Sequence, residues 1–297
     1  MRQSLAPFMI LIAAMLWGTA GTAKSFASDV DSISMGVARL VIGGILLMAI
    51  AVVTRKMTFK GWPVRPLLIG GVAMALFQPF FFSAVELTGI AVGTVVSIGS
   101  APVFSGMIEW LIFKIRPGRI WWLSTFLAIT GCIILMFNTN AITVDPMGIL
   151  AGLGAGISFA SFTMSNSRLV RTHDPIASVA MIFCLSALLL SPFLFINDMS
   201  WMTETNGLLV ALHIGVLATA LAYFLFSNGL KFVKSSTAVT LSLAEPLTAS
   251  LLGVFLVGET LDILSWVGLL MLLAGIVILV MQSRRSRNHT QEDPANA

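Results

Sequence analysis

Charge is scarce in this sequence. Only 10% of its 297 residues are Asp, Glu, Lys or Arg, against about 25% in soluble domains. Hydrophobic residues make up 57% and the mean hydropathy is +0.96. A water-soluble core of this size has no use for so much apolar surface, so a bilayer must be the solvent. Cysteine is nearly absent: Cys132 and Cys184 both lie inside apolar runs. They read as small hydrophobes, with neither disulfide nor metal spacing. No GxxxxGK[ST] phosphate loop, HExxH pair, Cys/His metal spacing or Rossmann glycine cluster occurs. The longest connections run to only about a dozen residues, which leaves no soluble domain for ATP-driven pumping. No enzyme activity, cofactor or metal is expected. The net charge of +4 would suggest nucleic acid in a soluble protein. Here the bases sit in short loops between apolar runs, which points to membrane topology instead.

What the chain does have is long apolar runs. Spanning about 30 Å of hydrocarbon takes about 20 helical residues. Ten runs qualify: 5–27, 36–54, 66–86, 90–113, 119–137, 146–166, 176–196, 206–228, 236–257 and 263–282. Their uninterrupted length excludes the alternating ten-residue pattern of a membrane β-barrel. Breaks carry recognisable stops such as Arg55-Lys56, Arg116-Pro117-Gly118, Asp145-Pro146, Asp174-Pro175 and Gly258-Glu259. The first run is too long for a cleaved leader and carries Lys24 near its end, so it is read as a span. After Gln282 the sequence reads as a basic, disordered tail over 284–297.

With a cytoplasmic N-terminus, 15 of the 17 Lys and Arg residues fall in inside loops or the tail. The two others, Lys24 and Arg39, lie within or beside helices 1 and 2. Glu86, Asp145, Asp198, Glu204 and Asp262 fall at the outer side. This asymmetry places both termini in the cytoplasm.

An offset of 144 superimposes the second half on the first. Phe80 falls on Phe224, Ser83 on Ser227, Pro102 on Pro246, Trp122 on Trp266 and Gly131 on Gly275. Five helices per half is an odd number, so the halves run in opposite directions through the membrane. The expected fold is an all-α integral membrane protein of ten transmembrane helices in two inverted five-helix repeats. Residues 1–138 form the first and 139–283 the second. Inverted repeats mark secondary transporters, in which the solute sits near the midplane and the halves rock about it.

The pattern Leu16-Trp17-Gly18 in helix 1, Arg39 opening helix 2, and Ala244-Glu245-Pro246 followed by Gly258-Glu259 resembles the drug/metabolite transporter superfamily, EamA family. The resemblance covers residues 5 to 282, and the second-half Glu-Pro and Gly-Glu pattern is its most specific part. It implies a ten-helix inner-membrane carrier, often an exporter of amino acids, metabolites or drugs. One departure is plain: the first half has Ala101-Pro102 and Lys114-Ile115-Arg116 at the matching positions. A single midplane acid is left.

Ionisable and polar residues at membrane depth are the candidate site. Glu245, beside Pro246, is a carboxylate for a coupling proton or a cation, with packing as its alternative role. Pro246 removes a backbone donor and frees the carbonyl of Ser242, adding a polar group there. Pro102 should bend helix 4 as Pro246 bends helix 9, freeing the carbonyl of Ile98. Lys24 and Arg39 break the charge rule, so an outer-side gate with Asp29, Asp31 or Glu86 is expected, or contact with an anionic solute group. Trp17, Gln78, Tyr223 and Asn228 must each place a polar atom away from lipid and complete the substrate-binding set. Glu109 is expected to snorkel or pair with Lys114 or Arg116. His213 is a proton relay or an interfacial hydrogen-bonder. Gly148, Gly152, Gly156 and Ala160 form a small-residue packing stripe in helix 6.

The expected function is secondary active transport of a small metabolite or drug by alternating access, as an exporter and, on one reading, proton-coupled. The partners are the solute, the bilayer and the proton, with the protein a monomer or homodimer. Uptake or exchange on the same fold, or a non-transporting scaffold or sensor, are the alternatives.

Overall fold

The computed structural model describes residues 2–24, 26–27, 32–58, 60–136, 145–258 and 260–292. At 2–3, 24, 32, 90–91, 136, 257 and 283–292 it describes backbone alone. Among these residues the chain is all helix, with no strand. We number the long elements α1 (Arg2–Lys24), α2 (Ser32–Val53), α3 (Val64–Thr88), α4 (Ile90–Phe113), α5 (Arg119–Met136), α6 (Pro146–Leu169) and α7 (Pro175–Leu190). Then come α8 (Thr205–Leu230) and α9 (Ser235–Leu256), and α10 (Ile263–Glu292). The last helix continues past Gln282 into the stretch expected to be a tail.

Local chemistry sets the helix ends. Asp145 and Asp174 each precede a proline at the first helical position, where the missing N–H costs nothing. Their carboxylates accept from the backbone N–H of Met147 at 2.8 Å and of Ile176 at 3.1 Å. Lys114 closes α4 in the left-handed conformation, φ 60°, its N–H donating to the Glu109 carbonyl. In the loops, the Ser200 N–H holds the Asp198 carboxyl below its usual range, and Ser265 does the same for Asp262.

Among the described residues, eight helices are long and apolar enough to cross a membrane, so the chain is a multi-pass membrane protein. Ten had been expected. The two that fall short are α5 and α7, both apolar. Helix α7 stops at Leu190 because Pro192 follows: Ser191 turns back onto the Leu188 carbonyl, and a single turn, Phe193–Ile196, comes after. Beyond Met136, residues 137–144 lie outside the described part of the chain.

Helices α4 and α9 cross the molecule differently. Through Pro102, α4 is helical without interruption. Helix α9 is interrupted at Ser242-Leu243, just before Glu245-Pro246, and the Ser242 carbonyl accepts from the Glu245 N–H at 2.9 Å in a tightened turn. Proline alone does not separate the two. On α9 the hydroxyl of Ser242 also bonds back to the Val239 carbonyl at 2.7 Å, which competes with the helical ladder.

The packing runs in matched pairs. Helix α6 lies along α3 and α4, and α1 lies along α8 and α9. Helix α2 packs on α7, and α5 on α10. Small residues permit the closest approaches. A β-carbon on Gly18 would meet the backbone of α9 at Glu245 and Ala249, and one on Gly156 would meet α4 at Ser97 and Ala101. Gly131 and Gly268 bring the backbones of α5 and α10 together. Asn166 on α6 donates to the Ser227 hydroxyl on α8 at 2.8 Å, a fully buried bond between elements far apart in sequence.

Lys56, Arg116 and Lys234 in loops and Arg168 in the last turn of α6, over Phe113, lie at one end of the bundle, the basic end. There Lys56 and Asp174 form an ion pair at 3.9 Å, and Trp62 stacks on His173. Glu86, Asp145, Asp198, Glu204 and Asp262 mark the opposite, acidic end.

Candidate functional site

Halfway along the bundle lies a cavity of about 40 Å³. Helix α1 brings Trp17, α2 Arg39, α3 Phe77, α4 Ser97, Ile98 and Ala101, α6 Phe159, α8 Tyr223, and α9 Ser242 and Glu245. Both halves of the chain contribute. The cavity is far smaller than that of about 520 Å³ near His213.

The close contact at Gly18 fixes the register of α1 against α9 and so sets Trp17 beside Glu245. The indole packs against Tyr223, Phe226 and Phe159, with ring centres at 4.7, 5.2 and 5.8 Å. Tyr223 is itself edge-on to Phe183 at 4.6 Å. These rings form one wall and one buried cluster.

The polar atoms face inward with their bonding incomplete. Among the described residues, the buried Trp17 Nε1, Arg39 Nε and Ser97 Oγ have no hydrogen-bond partner. Arg39 lies within electrostatic reach of both Tyr223 and Glu245. Arg39 and Glu245 do not close into an ion pair; the one found among the described residues is Lys56–Asp174. A guanidinium, which also donates a hydrogen bond to Tyr223, and a carboxylate therefore line one small space together with an indole and the hydroxyls of Ser97 and Ser242. Buried donors without partners are costly. An occupant with an anionic end towards Arg39 and Trp17 and a cationic end towards Glu245 would satisfy both sides.

Five of the sequence-derived substrate residues meet here: Trp17, Arg39, Tyr223, Ser242 and Glu245. The others do not. Asn228 spends its amide on the Phe224 carbonyl of its own helix at 2.8 Å. Gln78 is buried against α2 at Gly36, and its Nε2 lacks a partner there. Arg39 had been expected to open helix 2 at the outer side. Because α2 begins at Ser32, Arg39 is instead two turns in, at cavity depth. Pro102 and Pro246 are buried beside the lining residues Ala101 and Glu245, while Glu86 is exposed at the end of α3. The gate expected at Lys24, with Asp29 and Asp31, lies outside the described side chains.

Two further expectations resolve. Glu109 pairs with neither Lys114 nor Arg116. Its carboxylate accepts from the Ser236 backbone N–H at 3.1 Å and from the Ser236 hydroxyl at 2.6 Å. His213 Nε2 is 2.8 Å from the Thr19 hydroxyl, at the edge of a cavity near the acidic end. Sequence reasoning missed Ser97 and Phe159, whereas Phe77 belongs to the aromatic run of helix 3, Phe77 to Phe82, that the sequence already marks as a candidate cavity wall. The offset of 144 that set Ala101 opposite Glu245 pointed to that stretch of α4, but Phe159 had no mark among 20 phenylalanines.

A multi-pass helical bundle with a central, polar-lined cavity between two halves defines a membrane transporter. Residues 4–137 and 146–281 match the model of the EamA-like transporter family, and the chain belongs to that family. It is 43% identical, over 97% of each chain, to a Bacillus subtilis protein named as an uncharacterized transporter, YwfM. It is 27% identical to the threonine/homoserine exporter RhtA of Escherichia coli, over 72% of this chain and 71% of that one. A solved crystal structure superimposes with a TM-score of 0.82, covering 95% of this chain and 98% of that one at 19% identity, so the fold is shared.

Proposed function

We propose that this protein is a secondary carrier that exports small zwitterionic solutes, amino acids in the first place, by alternating access. The observation that carries the reading is the central cavity lined by both Arg39 and Glu245, in which Trp17 Nε1 and Arg39 Nε have no hydrogen-bond partner among the described residues. An α-amino acid presents a carboxylate to those two nitrogens and an ammonium to Glu245. The export function of the RhtA relative points the same way.

Ten spans in two inverted halves, 1–138 and 139–283, form the framework, with α5 and α7 as the two shorter crossings. The pairings support this. Exchanging each helix for the one five places on turns α3–α6 into α8–α1, α4–α6 into α9–α1, and α3–α7 into α8–α2, all of which pack. It returns α2–α7, α4–α9 and α5–α10 to themselves. The loop charges put the basic end and both termini in the cytoplasm of an inner-membrane protein. Glu245 is the residue through which a proton would couple to the solute.

The test is ligand stabilisation of the purified chain, since a ligand of the folded state raises its melting temperature by mass action. Threonine is compared with 1-amino-2-propanol, which lacks the carboxylate, and with 3-hydroxybutyrate, which lacks the amine. Stabilisation by threonine or another α-amino acid alone supports the reading, followed by counterflow of the same compound in proteoliposomes. Equal stabilisation by the two truncated compounds, or by none of the α-amino acids, would overturn it.

A further inference from the structure

The two ends of the bundle are built differently, and the difference falls at matching positions of the repeat. At the basic end, Glu109 on α4 and Ser236 on α9 are both buried, 5% and 2% exposed. They are joined by the two hydrogen bonds at 3.1 and 2.6 Å. The bonds run from the first half of the chain to the second. The same end is stiffened one turn further in, where Thr240 bonds back to the Ser236 carbonyl and across to Thr125 on α5, both at 3.0 Å.

At the offset of 144, Glu109 falls on Gly253 and Ser236 falls on Val92. Glycine and valine have no side-chain group to repeat the bond, so the acidic end has no counterpart of it. What it has instead is open space and unusual backbone. Helix α9 is wound as π-helix over Gly253–Val257, and α8 over His213–Leu221. Between these segments and α1 lies a cavity of about 520 Å³, bordered by Thr19, Ala23, Asn206, His213 and Leu252. One-turn π insertions are uncommon and often mark sites of rearrangement.

We infer that Glu109 and Ser236 form the latch that holds the basic end of the carrier shut, and that breaking their bonds is what lets this end open. The inference rests on the alternating-access reading above. In a carrier of two inverted halves, the two end states exchange the contacts of the two ends, so a contact present at one end only biases their balance. Two hydrogen bonds to a buried carboxylate are enough for a bias of roughly ten- to hundredfold. Any state that admits solute at the basic end must part α4 from the start of α9 and therefore lose both. The conformation described here is the latched one: bonded at the basic end and cleft at the acidic end.

The test reads access from each side and needs no knowledge of the solute. Cys132 and Cys184 are replaced by alanine, and Ser97→Cys puts one thiol in the central cavity. A membrane-impermeant maleimide is applied to inside-out and right-side-out vesicles. With Glu109 and Ser236 intact, labelling from the basic side is expected to be slow. Ser236→Ala, and more strongly Ser236→Ala with Glu109→Gln, should raise that rate about tenfold or more and lower the rate from the acidic side. A rate from the basic side that does not change would overturn the latch. So would a rise from both sides together, because that is the signature of a cap whose loss merely loosens the fold. If the double variant fails to fold, Ser236→Ala alone decides, since it keeps the carboxylate and the backbone N–H that caps it. Side-dependent labelling that ignores Ser236 would sink the latch and leave alternating access standing, whereas a thiol reached from neither side in any variant would remove both.

Discussion

The backbone carbonyl oxygen of Glu245 sits 2.6 Å from the point where a β-carbon on Gly18 would lie. Helix α1 therefore touches α9 backbone to backbone at the residue that carries the acid of the cavity. Gly18→Ala has no room at that point, and overpacking of this kind costs about 1–3 kcal/mol. A lower melting temperature and reduced flux are expected, with the protein still inserted. An alanine variant as stable and as active as the parent would show that α1 and α9 are not locked at this crossing.

Glu245 itself is tested by pairing two substitutions. Glu245→Gln keeps the shape of the acid and removes its charge and its proton. If Glu245 carries the coupling proton, gradient-driven flux is lost in Gln while exchange of bound solute between the two sides persists. If it only holds the solute's ammonium, Gln weakens binding and both fluxes together. If it only packs, Gln behaves like the parent across the pH range and Glu245→Ala is the variant that loses stability. Reconstituted flux between acid and neutral pH distinguishes the three outcomes.

Arg39 and Trp17 should fail in different degrees. Arg39→Lys keeps a positive charge but loses the planar fork and its Nε–H. The KM is expected to rise about tenfold or more, as a hydrogen bond to a charged group is worth about 1.5–3 kcal/mol. Trp17→Phe removes one neutral N–H and should cost a few-fold. Asn228→Ala, whose amide is already spent on the Phe224 carbonyl, should stay within about twofold of the parent. An Asn228 effect as large as that of Arg39 would mean the cavity has been drawn from the wrong residues.

Orientation can be checked with fused reporters. Fusions after Lys60 and Lys234 should report the cytoplasm, and fusions after Asp145 and Asp198 the outside. An external signal from the 168–174 loop would invalidate the opposed orientation of the two halves, and the carrier mechanism with it.

Much of the site was legible because burying a polar atom in a membrane span needs a reason. Trp17, Tyr223 and Glu245 stood out on that ground alone, and the cavity does gather them. Asn228 met the same criterion and failed, since a bond to the carbonyl four residues back satisfies it within its own helix and leaves no trace in the sequence. The depth of Arg39 was misjudged by the start of a helix, Ser32 in place of residue 36, and one turn was enough to move it from gate to cavity. The partner of Glu109 was out of reach for a different reason. Three bases lie within ten residues of it, whereas Ser236 is 127 positions away, and no local pattern announces a contact between halves. The span count suffered at α7, where Ser191-Pro192 ends a helix that hydropathy alone carries onward.

The seam between α5 and α10 has a consequence for how the molecule can move. There Gly131 and Gly268 bring two backbones into direct contact, with Gly275 lying against Ser124 and Ala128 one turn on. Bare backbone against bare backbone resists being drawn apart. On the alternating-access reading proposed above, this seam is the fulcrum of the two halves. A covalent tie across α5 and α10 would leave such a protein turning over, while the same tie between α4 and the start of α9 would stop it.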